Sequence, residues 1–184
     1  QRLIAQTGAT TERVSTLASL LISRGRFKEA YDVLESHRPK VSAEDSEFLR
    51  RIGDLAMRLR DDAAAQLAYE RLVVHPKANL DDFTRLVTLL QGRQPEAAAR
   101  LAEAGHQRFN SPHLLLTALG LHSQRRDFAS MRRILTAMSP ATERELARNP
   151  GFLLIRADYR AATGSPQLAQ ADYREALRID PATR

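Results

Sequence analysis

The chain has 184 residues, of which 43% are hydrophobic, 27% charged and only 5% aromatic, a composition ordinary for a globular protein of one or two domains. Its longest apolar run, Leu114 to Leu121, is far shorter than the roughly 18 residues a membrane span needs, and no basic-then-apolar leader precedes it, so no membrane contact is expected within it. The lack of cysteine removes disulfide and thiolate chemistry, and a net charge of +6 carried mostly by arginine points to coding bias before it points to an acidic partner.

Gln1 to Gly8 suggests the last turns of a preceding helix, as expected of a piece of a longer protein. Thr10 and Glu12 mark the cap and first turn of a new helix, along which Val14, Leu17, Ala18 and Leu21 recur at helical spacing. Gly25 supplies a turn, then Phe27, Ala30, Val33 and Leu34 return, and Pro39 ends the pair. Ser42 and Asp45 suggest a capping box for a helix carrying Leu49, Ile52, Gly53 and Ala56. After a turn at Arg60-Asp61, Ala65, Tyr69 and Leu72 form the next stripe, which Pro76 closes. Asn79 opens a third pair, with Asp81 and Asp82 placed where negative charge favours the helix dipole. Phe83, Leu86, Val87 and Leu90 make its first stripe; Ala98, Leu101 and Ala102 begin its return.

Ser111-Pro112 restarts the pattern with Leu115, Ala118, Leu119 and His122, followed by Asp127-Phe128 and the stripe Met131, Ile134, Leu135, Met138. A short extra helix is expected over 140–148, with Thr142 and Glu145 as its caps. The last pair is the cleanest. Asn149-Pro150 is a cap with proline at the first helical position, Leu153 and Ala157 follow, and Gly164 turns the chain. Ser165-Pro166 starts a second helix with Ala169, Tyr173 and Ala176, and Pro181 ends it.

Ala30 and Ala65 lie 35 residues apart, and Ala65 and Met131 lie 66 apart, close to one and two periods of a single repeating unit. Leu153, Ala157, Gly164, Ala169, Tyr173, Ala176 and Pro181 fall in the relative places that resemble the tetratricopeptide repeat (TPR). The departures are Leu153 where tryptophan is usual, and Arg156 and Arg160 at places usually apolar and aromatic. Those arginines suggest a wetter end face, or stems lying along it. The resemblance implies one all-α domain over 1–184, a right-handed TPR-type α-solenoid of about five helix hairpins, near 11–40, 44–77, 80–110, 112–139 and 150–183.

Catalytic and metal-binding patterns are not found. The five histidines, His37, His75, His106, His113 and His122, include no HExxH pair, and no cysteine can assist them, so no metal is expected. His122, on a helix stripe, suits partly buried packing. Glu44-Asp45, Asp61-Asp62 and Asp81-Asp82 all stand at helix starts, where the dipole accounts for them better than acid–base work on a shared cleft. Glycine-rich phosphate loops and a GxSxG elbow are missing, so neither an enzyme nor a cofactor is expected. Two arginine groups remain, Arg50, Arg51, Arg58 and Arg60, and Arg125, Arg126, Arg132 and Arg133. Each is either a solvated helix face, with Arg58 four residues after Asp54, or a reader of carboxylate or phosphate on a partner. Aromatics do not interleave with them, so nucleic acid is not expected.

The TPR resemblance implies a partner protein held in a groove lined by the first helix of each hairpin. In this sequence that implies Glu47, Arg50, Asp54 and Arg58 in the second unit, and His113, Leu116 and Gln124 in the fourth. Family members that clamp a C-terminal carboxylate use Lys and Asn where Arg50 and Asp54 stand, and Asp54 would oppose an anionic peptide. The stretches from Asp82 to Ala98, from Arg126 to Ala129, and from Asn149 to Leu154 are similar to the repeat regions of Pel-type exopolysaccharide export proteins. That likeness implies a periplasmic scaffold ahead of an outer-membrane barrel. Its partner would be a periplasmic polysaccharide deacetylase/hydrolase. The competing expectations are a groove for an anionic polymer or nucleic acid, and a cytoplasmic peptide adaptor.

Overall fold

A computed structural model describes residues 10–38 and 45–182. The expectations for Gln1 to Gly8, Pro39, Ser42 and Glu44 lie outside the described residues. Among those described, all regular structure is helical, in two compact units that divide between Leu89 and Leu90.

The first unit holds α1 (Thr11–Ser23), α2 (Phe27–His37), α3 (Ser46–Arg58), α4 (Asp62–Val73) and α5 (Leu80–Leu90), whose last residue falls at the division. Four of these five helices start on a capping side chain, the exception being α2, where Arg26 makes no such bond. The side chains of Thr10, Asp45 and Asp61 accept the backbone N–H of Arg13, Phe48 and Ala64, answering donors that the helix leaves free. Asn79 and Asp82 cap α5 reciprocally: each side chain accepts the other's backbone N–H, at 2.9 and 3.0 Å. The stripes meet in a core of Val14, Ala18, Leu21, Ala30, Leu34, Phe48, Ile52, Leu55 and Ala68. Burying each large side chain contributes about 1.5–3 kcal/mol.

The second unit holds α6 (Pro95–Phe109), α7 (Pro112–Gln124), α8 (Phe128–Ala137), α9 (Pro140–Leu146), α10 (Pro150–Ala162) and α11 (Pro166–Ile179). Its core gathers Leu115, Leu119, Met131, Ile134, Leu146, Phe152, Leu153 and Ala176. Two caps differ from expectation. Ser139, not Thr142, caps α9, because Pro140 takes the first helical position and Ser139 Oγ then accepts Thr142 N–H. Pro166 begins α11 while Ser165 makes no side-chain cap bond.

Four hairpin turns share one closure. The N–H groups of Arg26, Asp61, Asp127 and Ser165 each return five residues to Leu21, Ala56, His122 and Arg160. The residue before each donor is left-handed, Gly25 at φ 72°, Arg60 at 59°, Arg126 at 53° and Gly164 at 84°. Two of the four are arginines, in a conformation that costs a non-glycine residue roughly 1–2 kcal/mol. The turn after α5 closes otherwise, with Arg93 and Gln94 N–H both returning to the Leu90 carbonyl.

Candidate functional site

In the first unit, α1, α3 and α5 are tied side by side through their polar faces. Arg51 on α3 reaches α1, donating from Nη1 to the Ser15 carbonyl at 3.1 Å and to Ser19 Oγ at 2.8 Å. Arg50 reaches α5, where Nε and Nη2 grip the Asp82 carboxylate at 2.9 and 3.0 Å; Nη2 also meets the Lys77 carbonyl at 2.5 Å. Its Nη1 takes Glu47 of its own helix at 2.8 Å. The hydrogen bond to Asp82 holds the Arg50 guanidinium above its ordinary pKa. Asp82 is only 1% exposed, so this carboxylate is a buried ion-pair partner as well as a helix cap. Reading it as a dipole charge captured only the local half of its role.

Asp54 is held from two sides, by Tyr69 Oη at 2.6 Å and by Arg85 Nη1 of α5 at 2.9 Å. Burial, and then the bond to Asp54, push the Tyr69 phenol well above its usual range. Gly53 makes this possible. A Cβ there would stand 2.9 Å from Tyr69 Cε2, so the ring lies where a side chain would otherwise be. The structure therefore joins Glu47, Arg50 and Asp54 through α5. Arg58 stands apart: its guanidinium lies 5.1 Å from the Phe27 ring and not on Asp54.

In the second unit His113 and Gln124 are exposed on α7, while Leu116 packs against the core. His122 is buried between two carboxylates. Nε2 meets Glu103 Oε1 of α6 at 2.8 Å and Nδ1 meets Asp127 Oδ2, the cap of α8, at 3.0 Å. Arg133 of α8 takes the other Glu103 oxygen at 2.7 Å. Asp127 sits below the ordinary carboxylate pKa, chiefly because Ser130 hydrogen-bonds to it. Of the second arginine group, Arg125 pairs with Glu96 at 3.3 Å. A cleft of about 200 Å³ between α6 and α8 is floored by Leu115, Ile134 and Met138. In the last hairpin Arg156 and Arg160 converge on the buried Asp172, at 2.7 and 2.6 Å, and Arg156 also meets Glu143 of α9 at 2.6 Å. The expected wetter face is thus a closed ion cluster with the Arg156 guanidinium 5.0 Å from the Phe152 ring.

The pairing of Asp82 with Arg50, the role of Arg85 and the α1 contacts of Arg51 were missed from sequence. One signal was present, since Arg51 and Arg85 lie 34 residues apart, one period. On the resulting face Arg50 and Arg85 are matched by carboxylates, whereas the guanidiniums of Arg51 and Arg58 hold none among the described residues. A surface of this kind can hydrogen-bond an extended or helical segment without demanding a strongly charged one.

Paired helices repeating at one period with polar first-helix faces define a helical-repeat protein. The chain matches the tetratricopeptide repeat family over residues 2–184 and belongs to it. Among solved structures it is similar to YrrB, described as a TPR protein with an unusual peptide-binding site, at TM-score 0.74 and 14% identity, covering 99% of this chain and 92% of that one. It is also similar to a MamA protein, at TM-score 0.70 and 13% identity over 95% and 94% of the two chains. MamA from Desulfovibrio magneticus RS-1 gives 0.65 and 12%, over 94% and 96%. No match emerges among curated protein sequences. These likenesses establish an all-α TPR fold. Among the described residues no helix is long and apolar enough to cross a membrane.

Proposed function

We propose that the chain is a protein-docking scaffold of a bacterial Pel-type exopolysaccharide export machine. On this reading it works in the periplasm and recruits an enzyme that deacetylates or cleaves the polymer. The observation that carries the docking role is the face made by α1, α3 and α5, braced by Arg51, by Arg50 with Asp82 and by Asp54 with Arg85. Bracing lowers the ordering cost when a partner binds, because the receiving side chains are already held. YrrB, whose own description includes a peptide-binding site, supports the docking role by likeness of fold. The export setting draws its support from the stretches Asp82 to Ala98, Arg126 to Ala129 and Asn149 to Leu154.

The test is capture from a periplasmic extract of an exopolysaccharide-producing bacterium by the intact chain and by an Arg58→Glu version. Arg50 and Arg51 are spared because their loss would unsettle the face itself. Retention of a polysaccharide-modifying enzyme by the first and not the second is the expected result. Retention of anionic polymer alone, released steeply by salt, would replace the scaffold reading with a polymer-binding one.

A further inference from the structure

Arg85 of α5 reaches two groups on α3 with one nitrogen. Its Nη1 lies 2.9 Å from Asp54 Oδ1 and 3.8 Å from Met57 Sδ, so the two hydrogens of one NH2 group serve a carboxylate and a thioether three residues apart on the same side of the helix. The first contact is strong and the second weak, because a thioether sulfur is a poor acceptor. Met57 is half-buried, and the ion pair beside it is open to water, with 41% of the Arg85 side chain and 45% of the Asp54 side chain exposed. Small solutes therefore have access to this sulfur.

The other two methionines are placed differently. Met131 is fully buried in the core of the second unit, closed to small solutes. Met138 lines the cleft between α6 and α8. Among the described residues Met57 alone has a guanidinium against its sulfur.

We infer that Met57 is a site of reversible oxidation, at which a peroxide converts the thioether to a sulfoxide that Arg85 receives. One peroxide oxygen bonds to sulfur as the O–O bond breaks; sulfur supplies the electron pair, and the other oxygen leaves as water with both peroxide hydrogens. The new oxygen is a far stronger acceptor than the sulfur, and the Nη1 hydrogen is already directed to that place. Asp54 keeps the other hydrogen. Sulfoxide formation disrupts packing when it sets a polar group among apolar ones. Here a charged donor answers it, so the first unit keeps its fold while one point on its polar face changes from thioether to sulfoxide. Sulfoxide reductases restore the thioether. The consequence for docking rests on the scaffold role proposed above: a partner segment packed on the thioether is released by oxidation.

The test uses the Met138→Leu chain, in which Met57 is the accessible methionine, treated with dilute hydrogen peroxide and followed by peptide mass mapping. Met57 is expected to gain one oxygen while Met131 stays reduced. Urea unfolding then compares oxidised with reduced protein, with and without Arg85→Leu. Oxidation should barely move the midpoint while Arg85 is present. It should raise the unfolding constant about tenfold when Arg85 is replaced, since the sulfoxide then lacks its hydrogen bond from a charged donor. Equal losses in both backgrounds, or a Met57 that resists peroxide as Met131 does, would overturn the proposal. Capture of the polysaccharide-modifying enzyme completes the test, with retention by the reduced chain and loss from the oxidised one expected. Equal retention by the two forms would overturn the docking consequence. Retention by neither would overturn the scaffold role itself, while the mass and urea measurements, which need no partner, still decide the oxidation site.

Discussion

Asp82 shows how one side chain joins local and distant structure. Its Oδ2 accepts the Asn79 N–H that starts α5, and the same carboxylate carries the bidentate grip of Arg50 from α3. Asp82→Ala would leave a guanidinium only 17% exposed with the largely exposed Glu47 as its remaining carboxylate, and is expected to cost about 3 kcal/mol, measured by urea unfolding. Replacing both Arg50 and Asp82 with apolar residues should cost less than that single change. The tyrosines give a second expectation. The bond to Asp158, with burial second, pushes the Tyr173 phenol up to about 12. Its unfolded value is about 10, so the folded state holds this proton more tightly. The contribution is intact below about pH 10 and is lost as pH rises towards 12. Unfolding free energies across that range should fall less steeply in Tyr173→Phe; parallel slopes would disprove the assignment.

Within hairpins, two features separate what sequence discloses from what it hides. Gly53 touches the Tyr69 ring, whereas the same place in the last hairpin is Ala157, and Tyr173 there is only partly buried. Gly53→Ala is therefore expected to destabilise the first unit by about 1–3 kcal/mol through overpacking, relieved when Tyr69 is also replaced by leucine. Thermal unfolding of the single and double variants checks this. At the turns, Arg60 and Arg126 hold a conformation that glycine holds freely in the sister hairpins, so Arg126→Gly should raise stability by about 0.5–1 kcal/mol despite the flexibility it adds to the unfolded chain. Stripes, caps and turn positions were legible because their causes lie within a few residues; Val14, Ala18, Ile52, Ala65, Tyr69 and Met131 are all buried. Pairing between helices was not. Asp54 could have met Arg58 four residues away, yet takes Arg85, because α5 presents it across a packed interface that sequence spacing does not encode. Arg156 and Arg160 looked like solvated oddities until Asp172, 16 and 12 residues on, gave them a shared anion.

At the scale of the whole molecule, the chain is a series of sequence-local hairpins, and the helices most extensively packed are sequence neighbours: α1 with α2, α3 with α4, α6 with α7, α10 with α11. Structures dominated by local contacts fold quickly, so refolding by stopped-flow should be complete within milliseconds once prolines are trans. A dominant phase of seconds in that experiment would contradict the picture. The chain contains no tryptophan and four tyrosines. Tyr69 in the first unit and Tyr173 in the second each donate to a carboxylate. Near-ultraviolet spectra of the unlabelled protein therefore come largely from phenols, two of which report on the ionic surroundings of Asp54 and Asp158. Each unit carries its own optical indicator, and any change at either carboxylate should alter the colour and brightness of the tyrosine beside it.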